Sequence, residues 1–297
     1  MGHDHEHHQQ GTARNRLGLA FFLNASFTIV ELVGASLTNS TAIAADALHD
    51  LGDSLALAFA WGMQALAGTR ATGTFSYGFR RLSLVAALAN AVVLIGGGAL
   101  VLRESVPRLW SPDQPDAQGM FVLAVLGVAV NGAAVLRVGS GSTLNERTVT
   151  WHLLEDVLGW VAVLLVSVVM VFVDAPILDP LLSIAVTLFV GWNAGKHLKR
   201  TLMLFLQAVP DEIHPEELKI AALSIEGVED LRHLHVWSLD GTNHILTGHL
   251  VVKSTTLLEA RSIRQKVTSL LRESGIGHCT LEIDGTADAS DAFHCST

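Results

Sequence analysis

Charged residues are scarce in this sequence. Only 16% of its 297 residues are Asp, Glu, Lys or Arg, whereas 50% are hydrophobic, and the mean hydropathy is +0.43. Soluble domains carry about 25% charged residues, so the composition excludes an ordinary soluble protein and favours an integral membrane protein. The net charge is -9 and no basic block occurs, so the sequence lacks the positive surface that nucleic acid binding requires.

Cysteines are few, and the first residues are polar. Cys279 and Cys295 are the two cysteines, and both lie near the C-terminus, which argues against a disulfide framework and predicts reduced thiols. The N-terminus, MGHDHEHHQQ, has no apolar core, so we expect no cleavable signal peptide. Its HDHEHH stretch offers four imidazoles and two carboxylates, which either capture metal loosely or form a solvated tail.

Apolar segments long enough to cross a bilayer recur six times. A hydrocarbon core about 30 Å thick requires about 20 apolar residues in a helix. The predicted spans cover residues 17–37, 43–66, 82–102, 119–138, 149–173 and 177–198. Most Lys and Arg residues fall in connections on one side of these spans, which places both termini in the cytoplasm by the positive-inside rule.

Beyond Pro210 the pattern becomes that of a small soluble domain. It predicts a helix over 214–224, strands over 231–239 and 243–252, a helix over 257–274 and a strand over 279–284. The predicted fold class is therefore an α-helical membrane protein with six transmembrane helices and a small cytoplasmic α/β domain of order αββαβ. Its parts are a His-rich cytoplasmic tail (1–16), a membrane domain (17–208), the α/β domain (209–285) and a disordered tail (286–297).

Two of the predicted spans carry ionisable side chains on one helical face. The second span has them at i, i+3, i+4 and i+7, which are Asp46, His49, Asp50 and Asp53. The fifth span has them at i, i+3 and i+4, which are His152, Glu155 and Asp156. Such groups are costly at membrane depth and mark a pathway or a partnered site. Neither stripe has a basic partner within the spans, so the carboxylates would repel one another unless they bind protons or a metal cation.

The ligand types narrow the choice of cation. His49 with Asp53, and His152 with Asp156, each place an imidazole and a carboxylate four residues apart. Two nitrogens and two oxygens suit a tetrahedral ion such as Zn²⁺, whereas Mg²⁺ and Ca²⁺ prefer oxygen throughout; Cd²⁺, Co²⁺, Ni²⁺ and Fe²⁺ also fit. The alternatives are a polar packing network and a proton relay.

Three further acidic residues share these faces, namely Asp46, Asp50 and Glu155. We expect them to hydrogen-bond the ligand histidines or to carry protons. Polar groups elsewhere in the spans, such as Asn24 and Glu31, are expected to form hydrogen bonds between helices.

Several stretches together resemble the cation diffusion facilitator family, most closely its bacterial zinc, cadmium and cobalt efflux branch. The resemblance runs from about residue 14 to 285 and includes ADALHDLGD, YGFRRLSLVAALANA, LNERTVTWHLLEDVLG, VPDEI and GVEDLRHLHVW. It implies a homodimeric metal and proton antiporter in the bacterial inner membrane, with a metallochaperone-like cytoplasmic domain. The transport site that it implies consists of His49, Asp53, His152 and Asp156.

The resemblance also implies that Arg81 pairs with Asp211 and couples the two domains, although both could be unrelated surface charges. The sequence departs from the family pattern in three places. Ser83 stands where the family commonly has Glu, and Phe75 and Phe79 stand where some members have His, so no second site is expected in that loop.

The third departure is Arg232, which replaces one usual ligand of the cytoplasmic metal site. The remaining candidates are His249, Glu282 and Asp284 by family position, with His233, His235 and His278 nearby. His235 and His249 lie on predicted strands, where they could instead be ordinary polar positions.

The function predicted from these features is efflux of a divalent metal, Zn²⁺ above all, in exchange for protons. No catalytic cofactor is expected. The alternatives are a membrane metal sensor and an intramembrane metalloenzyme. An enzyme of that kind would keep an open metal position beside a general base, and the sequence contains no HExxH motif.

Overall fold

The computed structural model describes residues 3–66, 72–138, 144–253 and 256–285, and its side chains over 18–63, 72–136, 154–253 and 256–285. Six long helices come first: α1 (His3–Thr38), α2 (Thr41–Leu66), α3 (Leu82–Ser105), α4 (Ala117–Val138), α5 (Leu144–Phe172) and α6 (Leu178–Phe205). Then follow α7 (Pro215–Leu223), β1 (Val228–Ser238), β2 (His244–Val252), α8 (Leu257–Glu273) and β3 (Ile276–Gly285). The predicted order αββαβ is confirmed.

Five of the described helices are long and apolar enough to cross a membrane. The qualifying stretches are Gly18–Thr38, Leu82–Leu109, Ala117–Leu136, Leu154–Phe172 and Leu178–Phe205. Helix α2 has 26 residues and so is about 39 Å long, which also suffices, but it carries the charged stripe. The six-helix membrane fold with a small α/β domain is thus confirmed.

Helices α1 and α6 extend furthest beyond their predicted spans. Helix α1 begins at His3 and not at residue 17, and α6 continues to Phe205 and not to residue 198. Hydropathy marks only the part of a helix that is apolar. The helix itself continues until a helix-breaking residue ends it, because adding a residue to an existing helix costs little free energy. No proline interrupts residues 3–17 or 198–205. The predicted disordered tail, residues 286–297, lies outside the described residues.

The chain divides into two compact units, and the first contains α1, α2 and residues 85–198. Helix α1 packs along α2, and α4 packs along α5. The indole of Trp160 on α5 is fully buried and meets the ring of Phe27 on α1 edge to face at 5.9 Å. Trp160 packs directly against Gly127 of α4, where a Cβ atom would lie 2.1 Å from the indole. The absent side chain at Gly127 therefore makes room for the largest fully buried side chain among the described residues.

The second unit contains the connection that leads into α3, up to Leu84, and the residues from Lys199 onward. Its sheet has the order β1-β2-β3, with β1 antiparallel and β3 parallel to β2. The amphipathic α8 covers the sheet with its buried residues Ala260, Ile263, Val267 and Leu271. Strands β1 and β3 start earlier than predicted, because Val228 pairs with Val252 and Ile276 with His244 across the sheet.

The contact between Gly127 and Trp160 yields a stability prediction. We expect Gly127→Ala to lower the melting temperature of the detergent-purified protein by roughly 3–10 °C, because overpacking a core costs about 1–3 kcal/mol. Gly132→Ala is the matched control on the same helix, since nothing lies within 4 Å of the added Cβ atom there. Equal melting temperatures for the two variants would contradict this account of the packing.

Candidate metal centre

Three of the four predicted membrane ligands converge between α2 and α5. The His49 Nε2 atom lies 3.7 Å from Oδ2 of Asp53 and 3.6 Å from Oδ1 of Asp156. One ligand atom from each of these three residues lies within 4.8 Å of the other two. His49 and Asp53 share a face of α2 because they are one helical turn apart. All three side chains are partly buried.

His152, the fourth predicted ligand, lies on α5 one turn before Asp156, although its side chain is outside the described residues. The backbone therefore repeats on α5 the spacing of His49 and Asp53 on α2. Within the described side chains, the buried Oδ1 atom of Asp156 has no hydrogen-bond partner. A carboxylate oxygen left open beside an imidazole is available to a cation.

The distances fit a small tetrahedral ion. Zinc bonds of about 2.0–2.2 Å place neighbouring ligand atoms about 3.4 Å apart. The observed separations of 3.6 and 3.7 Å need to shorten only slightly to reach that geometry. Two carboxylates with neutral imidazoles would also balance the charge of a divalent cation.

Three further acidic residues are buried on α1 and α2. Asp46 and Asp50 are buried on α2, as is Glu31 on α1, which is 1% exposed. Both carboxylate oxygens of Glu31 lack a hydrogen-bond partner among the described residues. Asn24 donates from its amide to the Asp50 carbonyl and to Ser54 Oγ, at 3.0 Å each, and so forms the expected bond between helices.

Glu155, in contrast, is exposed. It does not belong to the group of ligand atoms around His49. The roles predicted for Asp46, Asp50 and Glu155 stay predictions, but burial now separates the first two from the third.

A second group of ionisable side chains lies on the sheet of the soluble domain. The Asp284 Oδ2 atom is 3.1 Å from His249 Nδ1 and 3.4 Å from Arg232 Nη2, and Glu282 lies 3.8 Å from His249 Nε2. A bulge in β1 gives His233 a φ of 54° and brings its ring 4.9 Å from that of His235. The guanidinium of Arg232 therefore contacts the carboxylate of Asp284, which a metal bound at the predicted cytoplasmic site would also contact.

His278 lies apart from this cluster. Its ring meets that of Tyr77 edge to face at 6.1 Å. Within the described part of the chain, one set of three ligand atoms is close enough to hold a metal, and it is the membrane set. The cytoplasmic site stays a prediction. All of its six named residues except His278 lie near one another.

The predicted coupling of Arg81 to Asp211 stays a prediction. Among the described side chains, Arg80 and not Arg81 reaches an acid of the soluble domain, with its Nη1 atom 3.7 Å from Oδ2 of Asp240; no ion pair joins Arg81 to Asp211 there. Partial burial alone would raise the pKa of Asp240, but hydrogen bonds from Thr242 and Asn243 lower it.

The helices and the α/β domain define an integral membrane protein, and the convergent His and Asp residues give it a candidate cation site. Residues 17–206 match the model of the cation efflux transmembrane domain, and residues 210–285 match the cation efflux protein cytoplasmic domain. The chain therefore belongs to the cation efflux family, also called the cation diffusion facilitators, as the sequence motifs indicated.

Curated relatives match along the whole chain. The metal cation efflux system protein CzcD of Cupriavidus metallidurans is 32% identical, with 100% of this chain and 96% of that protein covered. The cadmium, cobalt and zinc/H(+)-K(+) antiporter of Bacillus velezensis is 30% identical, over 98% and 94% of the two chains. The zinc transporter ZitB of Escherichia coli is 32% identical, over 85% and 83%.

The soluble cluster yields a prediction about Arg232. We expect Arg232→His to create a Zn²⁺ site on the sheet, because it frees Asp284 from the guanidinium and adds an imidazole beside His249. Binding is measured by titration calorimetry on the full-length protein carrying Asp53→Ala, which weakens the membrane site.

Arg232→Lys is the matched control, because it keeps the positive charge. The N-terminal histidines are present in both variants, so any Zn²⁺ that they bind cancels when the two titrations are compared. We expect one additional Zn²⁺ per chain, bound at least about tenfold more tightly than in the Lys variant. Identical titrations would mean that Arg232 does not control this site.

Proposed function

We propose that this protein exports divalent metal cations from the cytoplasm in exchange for protons, with His49, Asp53, His152 and Asp156 as the transport site. The observation that carries the proposal is the convergence of His49, Asp53 and Asp156 from two helices that lie far apart in sequence. Proteins similar to this one are named as metal efflux systems and zinc transporters. A site within the membrane suits a transporter, since the ion must be released on either side.

The ligand chemistry supports Zn²⁺ as the principal cargo. Imidazole and carboxylate together suit Zn²⁺ and its neighbours Cd²⁺, Co²⁺, Ni²⁺ and Fe²⁺ better than Mg²⁺ or Ca²⁺. The Bacillus relative is named for cadmium, cobalt and zinc.

Proton exchange follows from the same ligands. A histidine binds metal only when its imidazole is neutral, and histidine ordinarily changes charge near neutral pH. Protons that arrive from outside therefore compete with the metal for His49 and His152. The name of the Bacillus relative includes H(+) as a counter-ion.

The surrounding architecture completes the proposal. The protein acts as a homodimer in the bacterial inner membrane, with both termini and the α/β domain in the cytoplasm. The match of residues 210–285 to a cytoplasmic domain model named for dimerisation supports this arrangement. Excess Lys and Arg on that side of the predicted spans supports the orientation.

Transport by reconstituted protein tests the site. We expect Asp53→Ala and Asp156→Ala each to reduce Zn²⁺ flux into proteoliposomes more than about tenfold, because each removes one ligand of the transported ion. Asp174→Ala is the control, since Asp174 is an exposed carboxylate of the same unit, and its flux should match that of the wild type. Full flux in either ligand variant would refute the assignment of the site.

An imposed pH gradient tests the exchange. Zn²⁺ uptake should accelerate when the vesicle interior is acidic, because protons leaving the vesicles then drive metal in. Dissipating the gradient with a protonophore should return the uptake to its passive level. Uptake that ignores the gradient would remove the antiport mechanism, and binding without any flux would favour the metal sensor.

A further inference from the structure

The first turn of α2 is bound to a buried carboxylate of α6. Asp179 is 1% exposed, and its two oxygens accept four hydrogen bonds. Oδ1 accepts from Ser40 Oγ at 2.5 Å and from the Ala42 amide at 3.1 Å. Oδ2 accepts from the Thr41 amide at 2.8 Å and from Thr41 Oγ1 at 2.9 Å. We call Asp179 with Ser40, Thr41 and Ala42 the α2–α6 clasp.

The polar contacts continue from the clasp to α3. Ser183, one turn after Asp179, donates from Oγ to the Thr41 carbonyl at 2.9 Å. Its Oγ also lies 2.8 Å from Oγ of Ser105 on α3, and both serines are fully buried. One continuous hydrogen-bond network therefore joins an end of α2 to α3 and α6.

The charge of Asp179 is stabilised without a basic partner. No ion pair involves Asp179 within the described residues, and burying an unpaired carboxylate would be costly. Backbone amides at the N-terminus of a helix carry partial positive charge, and hydrogen bonds to an ionised acceptor are stronger than neutral ones. The start of α2 thus supplies the compensating charge.

The saturation of the carboxylate indicates its role. A carboxylate has about four acceptor positions, and those of Asp179 are all occupied by Ser40 and by groups of Thr41 and Ala42 at the start of α2. No position remains for a transported cation. Thr41 lies eight residues before His49, so the clasp is about 12 Å along the helix from the candidate ligands.

We propose that Asp179 is a positioning residue for transport, holding the start of α2 on α6 so that both helices move together. The proposal rests on the proposed function, since α2 carries the ligands His49 and Asp53. Helix α2 also packs against α1, so loss of the clasp should leave metal binding intact while uncoupling α6 from its movement.

Kinetics of reconstituted variants distinguish this role from ligation. We expect Asp179→Ala to lower the maximal rate of Zn²⁺ transport by about tenfold or more, because the hydrogen bonds it removes are charge-assisted. Thr41→Val removes one of those bonds and should lower the rate by about twofold to fivefold. KM and the equilibrium dissociation constant for Zn²⁺ should stay within about threefold of the wild type in both variants, since no ligand is lost.

Hydrogen exchange supplies a readout that is independent of transport. The amides of Thr41 and Ala42 should be protected in the wild type both with and without Zn²⁺, and unprotected in Asp179→Ala. Asp174→Ala, an exposed acid near the start of the same helix, should leave protection and rate unchanged. If Asp179→Ala does not fold, Asp179→Asn and Thr41→Val provide the same comparison.

Three results would overturn the positioning role. They are an unchanged maximal rate in Asp179→Ala, a loss of Zn²⁺ affinity as large as the loss of rate, and wild-type amides that lose protection when Zn²⁺ binds. Failure of the proposed function would give a different result. Asp53→Ala would then retain Zn²⁺ flux, and hydrogen exchange at Thr41 and Ala42 would still show whether the clasp is formed.

Discussion

The burial of carboxylates in the membrane domain is the constraint on which the rest of that domain depends. Asp46, Asp50 and Glu31 lie almost wholly out of solvent, where an isolated charge is strongly disfavoured. Such groups persist only if they are protonated, hydrogen-bonded or bound to a cation. The faces of α1 and α5 that meet α2 accordingly carry polar side chains, including Asn24 and Asp156. Polar side chains of α1 and α5 therefore match the acidic face of α2.

Two aspartates of this domain illustrate how partners determine a role. Asp179 accepts four hydrogen bonds from Ser40 and the start of α2, and its acceptor positions are fully used. Asp156 leaves one buried oxygen without a hydrogen bond beside His49 among the described residues. The same functional group has all its acceptor positions filled in one place and an oxygen without a hydrogen bond in the other. Saturation of acceptor positions, and not burial alone, separates them.

Features that repeat along one helix could be predicted from the sequence, and features that join distant segments could not. Apolar length fixes the six spans, and the four-residue spacing of His49 and Asp53 follows from helical periodicity. The clasp at Asp179 was missed because its partners are nearly 140 residues away. A signal did exist, since an acid directly before Pro180 at the start of an apolar span needs a partner.

In the soluble domain, too, a carboxylate is characterised by its partner, which is here the guanidinium of Arg232. Its sheet packs on an apolar core formed with α7 and α8, so the fold does not depend on a metal to bury its surface. Arg232 lies where the family commonly has a ligand, and its guanidinium contacts the carboxylate of Asp284. A fixed positive side chain thereby stabilises an acid that a metal would otherwise neutralise. In the membrane domain, by contrast, the described side chains place the imidazole of His49, and no guanidinium, beside the carboxylates of Asp53 and Asp156. An imidazole can share a metal with a carboxylate, whereas a guanidinium can only take the metal's place.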